Sequence, residues 1–288
     1  MNVRTILVPV TGAEEGLSCV EAALQLGAHL GAHVEGLHAS RDARDALAYI
    51  GEGMTGAMIE ELITTAEQES AESTQRARRD FSAACEAAGF DQTMRSGAPD
   101  ALTAHLMIET GPEDELIALR GRVADLIVVT RVSRDGDPAM RATLESALLE
   151  SGRPLFVAPP EGTQVSLSGA AIAWNGSAEV ARAVAQALPL LAKADKVSVI
   201  LIEEGLRPGP STDDLVTYLA RHGIVATIHA TESNHLPTGE ALLSDAKAVA
   251  ADFLVMGAYT HSRLRRMIMG SATEHILGAA TLPVLMIP

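Results

Sequence analysis

Residues 253–271, FLVMGAYTHSRLRRMIMGS, decide how the rest of the chain is read. Phe253 to Met256 is a short apolar run that reads as a buried strand. Gly257 at its end lets the backbone turn with no Cβ in the way. Gly270-Ser271-Ala272 then opens a periodic segment, as far as Leu277, that reads as a helix. Strand, crossover and helix start together make a place for phosphate. The free N–H groups and the positive end of the helix dipole both favour an anion there. Ser271 would add a hydroxyl, as helix cap or as phosphate donor. Taken alone, the stretch suits a plain turn and a plain cap equally well.

Outward from it, the second half alternates short apolar runs with amphipathic segments. Strands are expected at Ala170–Trp174, Val197–Ile202, Ile224–Ala230, Asp252–Met256 and Pro283–Ile287. Helices are expected at Glu179–Leu191, Thr212–His222 and Thr238–Ala250, before the last one. The first half has the same order. Strands are expected at 3–10, 34–39, 103–109, 125–130 and 154–158, with a weak one at Gln92–Ser96. Helices are expected at Glu14–Leu30, Glu60–Ala88, Pro112–Gly121 and Leu144–Glu150. Alternating strand and helix predicts right-handed parallel crossovers. The halves can be laid side by side: AADFLVMG at 250–257 answers VADLIVVT at 123–130, and LPVLMIP at 282–288 answers RPLFVAP at 153–159. This is a duplication at whole-domain scale. The expected domains are 1–160 and 168–288, joined by a Pro/Gly/Ser/Thr-containing linker.

The chain has 288 residues, enough for about two domains at ~150 residues each. Its net charge of -15 argues against an electrostatic grip on nucleic acid or on an anionic membrane. Two cysteines, Cys19 and Cys85, cannot build a disulfide framework or a Cys-rich zinc site. No cleavable leader and no apolar run of membrane length stand out, so a cytoplasmic protein is expected. His29 and His33 have the spacing of metal ligands, but Gly31 between them breaks the helix and no third ligand lies nearby. Glu60 to Ala88 is acidic first and then basic, a gradient that suits a helix dipole and a solvated face.

With the duplication in view, the chain resembles a tandem universal stress protein over essentially its full length. The resemblance implies an α/β architecture of two Rossmann-like domains, each a five-stranded parallel sheet flanked by helices. ATP-binding members of that family carry Gly, two residues, Gly, nine residues, then Gly-Ser or Gly-Thr. Gly257, Thr260, Gly270 and Ser271 match three of these four positions, and Thr260 departs from the second Gly. By the same resemblance, the nucleoside pocket maps to Ala173, Trp174, Asn175, Ile202 and Met256, at the carboxyl ends of the first, second and fourth strands of the second half. Asn175 stands where the family usually has Asp; its amide can still donate and accept, without charge. Trp174 would either stack on adenine or cover the sheet edge. Open α/β sheets in general bind ligands beyond those strand ends.

The first half departs further. Thr130 stands where Gly257 does, and counting back from Pro154 as from Pro283 puts Arg141 opposite Gly270. Val10-Thr11-Gly12 lacks the usual acidic residue. The first half is therefore expected not to hold nucleotide in this way but to serve as a built-in pairing partner. The resemblance implies that the fifth strands pair, Phe156 and Val157 facing Leu285 and Met286, as an intramolecular pseudo-dimer that could pair further into a homodimer. No catalytic constellation stands out. His261 beside the loop could carry a proton, and Arg263, Arg265 and Arg266 could attract polyphosphate; a polar loop accounts for all four as well. Asp213-Asp214 reads as an acidic helix start. Bound ATP would bring Mg²⁺ or Mn²⁺ held mainly by its phosphates, and any hydrolysis would be slow for want of a base.

Overall fold

The fold is that of a computed structural model, which describes residues 2–42, 55–93, 101–132, 136–159, 164–201, 208–229, 231, 236–258 and 271–287. The first half runs β1 (Thr5–Pro9), α1 (Glu14–Leu30), β2 (His33–Ser40), α2 (Gly56–Ala88), β3 (Asp91–Gln92), β4 (Thr103–Thr110), α3 (Glu113–Gly121), β5 (Leu126–Thr130), α4 (Pro138–Glu150) and β6 (Leu155–Ala158). The second runs β7 (Gly169–Trp174), α5 (Ala178–Leu191), β8 (Lys196–Leu201), α6 (Thr212–Arg221), β9 (Ala226–His229), α7 (Thr238–Ala248), β10 (Phe253–Gly257), α8 (Ser271–Ala279) and β11 (Val284–Ile287).

The strands form one sheet in the order β3-β4-β2-β1-β5-β6-β11-β10-β7-β8-β9. Among the described residues, every pairing within a half is parallel, and only β6 and β11 pair antiparallel. The order is thus a palindrome of two five-strand blocks. The first block has an extra two-residue edge strand, β3, where the sequence predicts a weak strand at 92–96; residues 94–96 lie outside the described residues. In the second block, α5 ends its apolar stripe at Leu190 and Leu191, both fully buried. Its stripe recurs at helical spacing (Val180, Ala183, Val184, Ala187), which is what one buried helix face requires.

The duplicated Asp shows how deep the repeat goes. Asp125 Oδ2 accepts the backbone N–H groups of Arg4 and Thr5, at 2.8 and 3.1 Å. Asp252 Oδ2 accepts the Gly169 N–H and the Ser166 hydroxyl, both at 2.7 Å. Each carboxylate ties the start of its half's fourth strand to the start of the first, satisfying donors left over at the sheet's end.

At the join, Val157, Phe156 and Leu155 face Val284, Leu285 and Met286 in that order. The expected strand pairing is present, with Phe156 opposite Leu285; Val157 is opposite Val284, not Met286. All six side chains are buried. Alternation sends Phe156 and Leu285 into the core under α1 and α5, and the other four into the core under α4, α7 and α8. Each core runs through both halves, and two strand edges that would otherwise lie open are closed against each other.

Candidate functional site

The strand order reverses direction between β7 and β10 in the second half, and between β1 and β5 in the first. A crevice beyond the strand ends is expected at each such point. In the second half, three local features build its walls. Asn175 Oδ1 accepts the Ser177 N–H at 3.1 Å, and the Ser177 hydroxyl accepts the Val180 N–H at 3.3 Å, so the chain turns directly from β7 into α5. Gly257 ends β10 against that same turn. A Cβ built on it would sit 3.1 Å from the Val180 nitrogen and 3.1 Å from Glu179 Cβ. A side chain here would make α5 give by a few tenths of an ångström, so glycine suits this close approach. The Thr273 hydroxyl, buried in the first turn of α8, donates to the Ala258 carbonyl at 3.0 Å. These contacts bring the N-terminal turns of α5 and α8 to the two sides of the β10 end.

Among the expected pocket residues, Ala173 and Met256 share the core face that α7 and α8 cover. Trp174 does not join them. Its neighbours in the chain alternate, so Trp174 lies with Ala170 and Ile172 on the opposite face, in the core with Val180, Val184 and Leu215. At 3% exposure the indole is a core residue beneath α5, and it neither caps the sheet edge nor presents a stacking surface. Ser271 begins α8 and Ala272 follows it. Ile202, Thr260 and Gly270 lie outside the described residues, as do His261, Arg263, Arg265 and Arg266.

The first half is built differently at the matching place. Helix α4 begins at Pro138, six residues before the expected start, with Asp137 as its N-cap accepting the Ala139 N–H at 2.8 Å. Arg141 accordingly sits inside the helix, 3.8 Å from Glu145, and does not stand at its start. What stands there is a carboxylate. A negative group at that point is favoured by the helix's positive end. The Asp-Pro pair was in the sequence and is a capping signal in its own right. The long helix α2 also lies over the end of β1. The Ser73 hydroxyl donates to the Thr11 carbonyl at 3.3 Å and Arg76 Nε to the Gly12 carbonyl at 3.2 Å.

Some titratable groups in this first-half region are buried or half-buried. Glu113 accepts the Thr143 hydroxyl at 2.9 Å, and burial pushes its carboxyl above the ordinary value. Burial likewise pushes the Cys19 thiol up to about 12. His38 donates from Nδ1 to the Val10 carbonyl at 2.7 Å, which leaves Nε2 buried without a partner. His29 and His33 go separate ways, to the Val165 carbonyl and the Thr103 hydroxyl. Among the described residues, no group of three or more His, Cys, Asp or Glu side chains is placed to hold a metal ion. Asp213 and Asp214 start α6, where Asp214 closes a capping box with Ser211.

The model of the Universal stress protein family matches residues 135–288, just over half of the chain. The chain belongs to the universal stress protein family. A universal stress protein from Archaeoglobus fulgidus DSM 4304 has the same fold across the whole length of this member. The alignment covers 100% of this chain and 99% of that one, at TM-score 0.69 and 16% identity. A putative universal stress protein from Pseudomonas aeruginosa UCBPP-PA14 aligns over 99% of this chain and 93% of its own, at TM-score 0.53 and 15% identity. No curated protein matches this family member. Among the described residues, no helix is long and apolar enough to cross a membrane.

Proposed function

We propose that the chain is a stress-response protein that binds ATP, or a related adenine nucleotide, in its second half, with the first half as intramolecular partner. The observation that carries this reading is the meeting of two helix N-termini at one strand end. Gly257 abuts the first turn of α5, and Thr273 draws the first turn of α8 onto Ala258. Two sets of leftover N–H groups and two helix dipoles then favour a polyphosphate in the same crevice. Gly257 and Ser271 hold motif positions on either side of it, and Mg²⁺ or Mn²⁺ would arrive with the phosphates. Ala173 and Met256, buried on the face that α8 covers, would lie behind the base as apolar backing.

The test is to denature the purified protein and measure the absorbance and mass of the small molecules released, then to repeat this with Gly270→Arg. An adenine nucleotide from the parent chain, absent from the variant, is the expected result. The burial of Trp174 favours the second reading, a non-nucleotide interaction protein with vestigial sites, because it withdraws that ring from stacking on adenine. No nucleotide from either protein, and no binding on titration with ATP, would establish that second reading.

A further inference from the structure

The antiparallel join sets the carboxyl ends of the first half's strands beside the amino ends of the second half's. The residue after β5 therefore lies next to the last turn of α8. That residue is Arg131. Its guanidinium donates to the Gly278 carbonyl at 2.8 Å and reaches the Leu277 carbonyl at 3.5 Å. These are among the carbonyls a helix leaves without partners at its C-terminal end, where a cation is also favoured by the dipole. Arg131 Nε is buried with no acceptor. The side chain is half-buried, with its Nε turned inward and its terminal nitrogen on the helix carbonyls nearer the surface. The palindrome puts Ala258 at the matching position of the second half, and a methyl group cannot reach α4 in return.

We infer that Arg131, a residue of the first half, is a positioning residue for the ligand site of the second half, acting through α8. This inference rests on the proposed nucleotide site at the start of that helix. Helix α8 has nine residues, so its two ends are only about 13 Å apart. One end is pinned by Thr273 on Ala258, the other by Arg131. A short helix held at both ends keeps its N–H groups aimed at one point. Released at its carbonyl end, it can pivot about Thr273, and those N–H groups lose their common target. Groups bound away from the helix start, such as the adenosine moiety, depend less on this aim.

The test is titration of the full chain with ATP and, separately, with adenosine, for the parent, Arg131→Ala, Arg131→Lys and Arg153→Ala. Arg153→Ala makes the same charge change at a side chain whose bonds go to the Arg122 carbonyl instead. Arg131→Ala is expected to weaken ATP about fivefold or more, the lower range of energetic coupling between sites, with adenosine affinity unchanged. Arg131→Lys should recover part of the loss, and Arg153→Ala should match the parent. Equal weakening of ATP and adenosine would mean general loosening and would overturn the inference, as would unchanged ATP affinity in Arg131→Ala. A parent chain that binds no ATP would overturn the site itself along with it. Should Arg131→Ala not fold, the ATP-to-adenosine ratio in Arg131→Lys decides the matter by the same criterion.

Discussion

Phe156 on β6 and Leu285 on β11 face each other across the join, and both are fully buried. Phe156→Leu and Leu285→Val each remove buried carbon from a different half at one point of contact. Each should destabilise the protein by about 1–2 kcal/mol, from the lost transfer energy and the gap left behind. At ~2–4 °C per kcal/mol for a chain of this size, each lowers Tm by about 2–8 °C. Side chains in contact do not add, and the double variant should fall short of the sum by about 0.5 kcal/mol or more. Urea unfolding supplies two probes. Far-UV circular dichroism follows the whole chain, and the fluorescence of Trp174, its one tryptophan, follows the second half. If the two cores run through both halves, Phe156→Leu shifts the Trp174 transition although it lies in the first half. A Trp174 transition left where it was, with an earlier separate change in dichroism and an additive double variant, would refute the continuous core.

Two further outcomes follow from the buried groups of the first half. Glu113 holds its proton more tightly in the fold than in the open chain, so the native state binds the extra proton. Its contribution to stability is therefore present at low pH and lost as pH rises from the ordinary 4.5 through the raised value. Glu113→Gln, whose oxygen can still accept from Thr143, should melt higher than the parent at pH 7 and about level with it at pH 4. Parallel pH profiles would count against this. Burial pushes Cys19 up to about 12 and Cys85 up to about 11, so an aromatic disulfide reagent at pH 8 should label neither thiol in the folded protein and both in urea. Prompt labelling without denaturant would contradict it.

The fold was largely legible because its cues are local and repeated. Apolar runs at strand length, helix stripes and the paired Ala-Asp motifs each specify the same thing in two places, and the duplicated Asp125 and Asp252 do one job twice. Hydrophobic periodicity points to a later start for α4 than its cap does: Asp137-Pro138 marks the start, while the buried stripe only begins at Thr143. Arg141 therefore lies within the helix and not at its entry. Trp174 shows another limit. Alternation fixes that it shares a face with Ile172, but not which helices cover that face, and a pocket and a core demand the same residue type. Arg131 was beyond reach altogether, since its partners lie 146 and 147 residues away and are backbone atoms, which no side-chain pattern announces.

The covalent link between the two blocks has a further consequence. In an assembly of two identical subunits, any coding change is imposed on both sides of the axis at once, so a bracing group cannot be gained on one side without appearing on the other. Here the blocks are written separately. One can carry an arginine at a position where its twin carries alanine, and can cap a helix with a carboxylate of its own. Fusion thus turns an obligate mirror into a division of labour, and it does so at a protein concentration that cannot be diluted away.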